Sequence, residues 1–214
     1  MTQSESRDVI LARIRNSIQS QPNSGPPSEP IERNYQIAGT RTPEDRIALF
    51  AERLREYDAG VTFTDPAGLC DCISGILTAS QSQPWIVADG FPADWLAASP
   101  SIQWEADASI DDLNASAGVL TTCTVGIAIT GTIVLQHGPG EGKRRTTLVP
   151  DRHLCVIRTA QVVETVPEAF ARLASDATHP VTFVSGPSAT ADIEMTRIRG
   201  VHGPRQLDIV LLSE

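Results

Sequence analysis

Positive charge, aromatic rings, cysteine and long apolar runs are all in short supply in this chain. Against 26 Asp and Glu stand only 17 Lys and Arg, a formal net charge of -9. Such a balance repels phosphodiester backbones and anionic membranes, so nucleic acid is not expected as a partner. Aromatics are 5% of residues, too few for the stacking platforms that single-stranded nucleic acid requires. No stretch approaches the ~20 apolar residues of a membrane span. The first eight residues are polar and carry Glu5 and Asp8 where a leader would need basic residues and an apolar run. The expected location is therefore the cytoplasm. Four cysteines, Cys70, Cys72, Cys123 and Cys155, are not a disulfide framework in 214 residues. Neither they nor His137, His153, His179 and His202 have ligand spacing, so no metal site is expected.

What is present is core-forming material: 41% hydrophobic residues against 20% charged, the proportions of an ordinary globular domain. Residues 5–19 read as a helix, with Ile10, Ile14 and Ile18 every four residues and Arg13 and Arg15 late, as the helix dipole favours. Residues 21–30 hold Pro22, Pro26, Pro27 and Pro30 and read as a linker. A second helix begins behind Thr42, with Pro43 at its first position and Asp45 three residues past the cap. Residues 1–59 are thus expected as a helical arm with its linker, and residues 60–214 as the domain proper. Within that domain short apolar runs at 61–64, 85–88, 181–185 and 207–212 alternate with helical patterns opening at Asp65-Pro66 and at 92–98, 166–174 and 189–198. Alternation of this kind predicts an α/β domain with a mostly parallel sheet. Four β-like runs at 118–129, 131–136, 146–149 and 153–158 leave no room for helices between them, which predicts an antiparallel or mixed insertion.

Four stretches carry possible chemistry. In GIAITGT, Gly126 and Gly131 permit tight turning, and Thr130 and Thr132 offer hydroxyls; a bend that simply needs glycine is the alternative. Next, a Gly/Pro turn feeds Lys143, Arg144 and Arg145, three consecutive cations in an acidic protein. Guanidinium groups match carboxylate or phosphate, so this loop is a candidate anion binder as well as a candidate solvated hairpin tip. The third stretch is Ser188-Ala189-Thr190 after the run ending at Ser185, where a helix is expected to open with Asp192 and Glu194 in its first turn. Ligands of open α/β sheets sit off strand carboxyl ends, beside helix N-termini, which makes Ser188 and Thr190 candidate ligand contacts. Finally, His202 and Arg205 precede the last strand as a candidate titrating group and anion clamp; an ordinary helix-to-strand turn with exposed charge is the alternative. All four stretches are expected to meet in one cleft that holds a small anionic ligand. Asp192, Glu194 and His202 are the candidates for acid–base work; neither a dinucleotide fingerprint nor a nucleophile elbow is found.

Taken in order, GIAITGTIVL, GKRRTTLVP-x-x-H, VTFVSGPSATADIE and RGVHGPRQLDIVLL resemble the LUD domain of bacterial lactate-utilisation proteins over roughly residues 60–214, in a single-domain form of that family. The resemblance implies a three-layer α/β/α fold with a mixed sheet, like glucosamine-phosphate deaminase, ribose-phosphate isomerase and CoA transferases. It also implies a subunit of a system that oxidises L-lactate to pyruvate. Iron–sulfur clusters are then expected in partner subunits and no cofactor on this chain. Ile129 stands where the family commonly has Glu. Two other readings stay open: a stand-alone enzyme on a phosphorylated or CoA-linked substrate, and a structural subunit without a site.

Overall fold

The computed structural model describes residues 3–20, 34–78, 83–96, 102–173, 180–190, 198–199 and 203–213. The chain divides into two compact units, Met1–Tyr35 and Gln36–Glu214. In the first, α1 (Gln3–Ser20) is the helix expected from the isoleucine spacing, and Ile10, Ile14 and Ile18 stand exposed on it. The expected linker, residues 21–30, lies outside the described residues.

The second unit opens with α2 (Pro43–Glu56), whose start follows from local chemistry. The Thr42 hydroxyl accepts the Asp45 N–H at 3.1 Å and Pro43 occupies the first turn, where no donor is required. Phe50 and Leu54, spaced four apart, are fully buried, worth about 2–3 kcal/mol each over exposure. Thus α2, grouped with the arm on sequence grounds, supplies core. There follow β1 (Gly60–Thr64), α3 (Leu69–Thr78), β2 (Trp85–Val87), β3 (Ile102–Trp104), α4 (Ile110–Ala115) and β4 (Gly118–Thr121). The chain continues through β5 (Val125–Ile127), β6 (Thr132–Leu135), β7 (Arg152–Arg158), β8 (Val162–Val163) and α5 (Val166–Leu173). It ends with β9 (Thr182–Val184), β10 (Ala189–Thr190), β11 (Ile198–Arg199) and β12 (Gln206–Leu212).

Six strands form a central parallel sheet in the order β1-β12-β7-β4-β2-β3. Alternation along β12 sends Leu207, Ile209 and Leu211 to one face and Val210 and Leu212 to the other. On the second face lies α3, through Leu69, Ile73 and Leu77. The first face meets α2 and a second sheet, β8-β5-β6-β9, in which β5–β8 is parallel and the other pairings antiparallel. That sheet in turn packs on α5 through Val125, Ile127, Val134, Val163, Ala169 and Leu173. The result is an α/β architecture with its parallel sheet flanked by helices and a mixed sheet beside it.

Four expectations are corrected. The run 118–129 serves two sheets: β4 ends at Thr121, Thr122 N–H bonds the Gly140 carbonyl at 2.7 Å, and the chain crosses to β5. Residues 146–149 make turns instead of a strand, because buried Glu105 accepts both the Lys143 N–H and the Thr146 hydroxyl and winds the segment. The apolar run 181–185 is no fully covered strand of the central sheet. It is an edge strand of the second sheet, with Phe183 45% exposed beside Phe170 at 5.8 Å between ring centroids. Lastly, the ends of the expected helix 189–198 are strands, Ala189 and Thr190 pairing antiparallel with Arg199 and Ile198, while 191–197 lie outside the described residues.

Candidate functional site

Of the four motifs, GIAITGT turns out to be mainly architectural. Gly131 has φ +58°, and a Cβ there would lie 2.8 Å from the Arg53 backbone, so glycine lets this turn press on α2. Buried Gly126 does the same beneath Phe50 and Ile157. Thr130, Thr132 and Ser185 form a chain of hydroxyls with 2.7 Å links. Thr130 and Ile129 face a cavity of about 530 Å³ shared with Arg53, Glu56, Tyr57 and Phe183. Among the described residues the only cation there, Arg53, is already paired with Glu56 at 2.6 Å.

The basic loop separates its three cations. Lys143 lines a different opening of about 400 Å³ with Asp89, Glu105 and His137, at the carboxyl ends of β2 and β3. His137 has φ +57°, and its Nδ1 lies 2.7 Å from the Gly142 carbonyl, which can only accept, so Nδ1 carries the proton. Its Nε2 then meets the Thr182 hydroxyl at 2.8 Å, tying this loop to β9. Arg145 is exposed and lines none of these three cavities. Arg144 turns the other way.

Arg144 borders a cavity of about 280 Å³ between residues 144–148, the first residues of β7 and β12, and the segment 182–189 after α5. Thr147, Ser185 and Ser188 also line it, as do Gly186 and Gly203, whose positive φ values of 81° and 109° let the backbone turn closely around the space. Ser188 N–H bonds the Pro204 carbonyl at 2.7 Å, joining the third motif to the fourth. Arg205 lies outside the lining, its Nε 3.3 Å from Asp151. Of the predicted contacts, then, Arg144 and Ser188 share a cavity; Thr130, Lys143, Arg145 and Arg205 do not join them, and Gly131 is packed on α2. Thr190 stands in β10. The acid–base candidates Asp192, Glu194 and His202 lie outside the described residues.

His153, the last residue of the GKRRTTLVP-x-x-H segment, was weighed in the sequence only as a metal ligand and given no place in the site. It is the second residue of β7, 1% exposed, and lines the cavity. Its Nε2 lies 2.8 Å from the Thr121 hydroxyl on the neighbouring strand. Burial pushes its pKa down from 6.5 to about 4, so the ring is neutral at physiological pH. The available signal was a lone polar residue in the otherwise apolar run HLCVI. Among the described residues no Asp or Glu lines this cavity and no carboxylate pairs with Arg144. In a chain of net charge -9 that lining is anomalous, and it suits an anion. The cavity opens at the amino ends of β7 and β12, opposite to the carboxyl-end position expected from open α/β sheets, because the run leading to Ser185 and Ser188 is a strand, Thr182–Val184, of the second sheet.

Fold and cavity together define an α/β protein with a cation- and hydroxyl-lined pocket beside its parallel sheet. The LUD domain model matches residues 40–212, and the chain belongs to that family. It is 34% identical over 213 residues to Lactate utilization protein C of Deinococcus radiodurans, covering 98% of this chain and 96% of that one. With Lactate utilization protein C of Bacillus subtilis it shares 23% identity over 235 residues, 98% and 97% of the two chains. A crystal structure of a DUF162 family protein from Deinococcus radiodurans superposes with a TM-score of 0.71 at 33% identity, covering 81% of this chain and 99% of that one. Among the described residues no helix is long and apolar enough to cross a membrane.

Proposed function

We propose that this chain works in lactate utilisation, as the small subunit of a cytoplasmic system that oxidises L-lactate to pyruvate. The observation that carries the reading is the near full-length likeness to proteins named Lactate utilization protein C. In this reading electrons pass to iron–sulfur clusters held by partner subunits. On this chain Cys70 and Cys72 lie on α3, and Cys123 and Cys155 are buried. The chain's own contribution is a small anionic ligand held at Arg144, Ser188 and Thr147.

One guanidinium balances one negative charge, which favours a small carboxylate over the phosphorylated or CoA-linked substrates of a stand-alone enzyme. Two measurements test the proposal. Expression of this chain should restore growth on L-lactate to a bacterium lacking its Lactate utilization protein C, and Arg144→Ala should not. Failure of the intact chain to restore growth when expressed and folded refutes the role. Restoration by Arg144→Ala as well would refute the cavity as its working part and favour a structural subunit.

A further inference from the structure

We propose that His153 is a specificity-determining residue: it recognises the oxygen on C2 of a small 2-hydroxy or 2-oxo monocarboxylate whose carboxylate is held by Arg144. This rests on the anion-cavity reading above and goes beyond it by naming the ligand class and the group that selects it. Three features carry it.

The first is charge. Among the described residues Arg144 is the only ionic group on the lining; Lys143 faces another opening and Arg205 is engaged by Asp151. A single guanidinium neutralises a monoanion and leaves a phosphate dianion half compensated. The second is size. About 280 Å³ falls at the bottom of the range for ligand pockets, room for an acid of a few carbons and some water.

The third is the imidazole itself. Thr121 takes Nε2, and among the described residues no side chain or backbone group bonds Nδ1. A neutral ring whose one nitrogen is engaged by the protein keeps one hydrogen-bonding position for a ligand. His153 is 1% exposed, stands beside Leu207 in the parallel register and lines the cavity, so the position is shielded from bulk water except through the cavity. Recognition by a shielded polar group discriminates sharply, because a ligand lacking the matching oxygen leaves that group unpaired. A histidine placed here only for packing would have no such requirement.

Titration calorimetry on the full chain with L-lactate, pyruvate, propionate and inorganic phosphate separates the possibilities. Propionate keeps the carboxylate and lacks the C2 oxygen. Lactate or pyruvate should bind about tenfold or more tightly than propionate, the worth of one well-shielded hydrogen bond. His153→Phe should bring them down to the propionate level and leave propionate itself unchanged. His153→Asn, which retains a donor and acceptor, should restore part of the preference, and it serves also if the Phe variant does not fold. Arg144→Ala should weaken all the carboxylates alike. Equal Arg144-dependent binding of lactate and propionate would overturn the role of His153 and leave the anion cavity standing. Phosphate binding more tightly than any carboxylate would overturn the ligand class. No binding by any of the four would remove the cavity reading, and this inference with it.

Discussion

Mild acid should destabilise this protein through a single side chain. His153 is held neutral by burial, with its pKa depressed from 6.5 to about 4. In the unfolded chain it takes up a proton below about pH 6.5; in the folded chain it does not until near pH 4. Between those values the unfolded state binds more protons, so stability is complete above pH 6.5 and is lost as pH falls. At about 1.4 kcal/mol per pH unit, the separation caps the loss at about 3 kcal/mol, of which about 2 kcal/mol is reached by pH 5. For a protein of this size that is a fall in Tm of roughly 4–8 °C. Ordinary carboxylates titrate near ~4, mostly below this window. Urea unfolding should be followed at pH 7.5, 6.5, 5.5 and 5 for the wild type and for His153→Asn, a variant without a titrating ring. The two curves of stability against pH should diverge by about 2 kcal/mol by pH 5, with the wild type falling faster. Parallel curves would mean that His153 titrates normally in the folded state, and the buried, neutral ring on which the ligand argument stands would be wrong.

Other outcomes follow from the packing. Glu105→Ala removes the carboxylate that fixes the Lys143 N–H and the Thr146 hydroxyl; unfolding stability should fall by about 1–3 kcal/mol and Arg144-dependent binding should weaken with it. Gly131→Ala places a Cβ 2.8 Å from the Arg53 backbone at φ +58° and should cost about 1–3 kcal/mol by thermal denaturation, whereas a cost under ~0.5 would mean the turn relaxes freely. A chain lacking residues 1–30 should stay soluble and keep its Tm, since Gln36–Glu214 is a compact unit with cores of its own; a drop of more than ~5 °C would place the arm in the core.

Elements governed by neighbours within one turn were legible in the sequence. Thr42, Pro43 and Asp45 announce the start of α2 without reference to the rest of the fold, and the spacing of Leu69, Ile73 and Leu77 describes the buried side of α3. The run LDIVLL reads as a strand covered on both faces and is one, between β1 and β7. Sheet membership was not legible, because an apolar run says that a strand is covered and not by what. VTFVS satisfies the same pattern with Val184 turned to the core and Phe183 covered only by Phe170. The run 118–129 likewise conceals a crossing between sheets, set by a hydrogen bond from Thr122 to Gly140 eighteen residues on.

The candidate site divides along the same line. Arg144 and Ser188 were visible as residue types, since a cation in an acidic chain and a hydroxyl beside glycine are both unusual locally. That they share a cavity while Arg145 and Arg205 stay outside depends on Glu105, thirty-eight residues before Lys143, winding the loop so that successive side chains diverge. His153 was hidden for a different reason. In the sequence a histidine inside an apolar strand looks the same whether its ring is satisfied within the core or open to a ligand; Thr121 decides which nitrogen is taken, and the strand pairing of β4 with β7 brings Thr121 there. A polar group that the fold buries and only half satisfies has been placed at a desolvation cost that packing alone does not require. That cost is the reason to look for the ligand at His153 and not among the more conspicuous arginines.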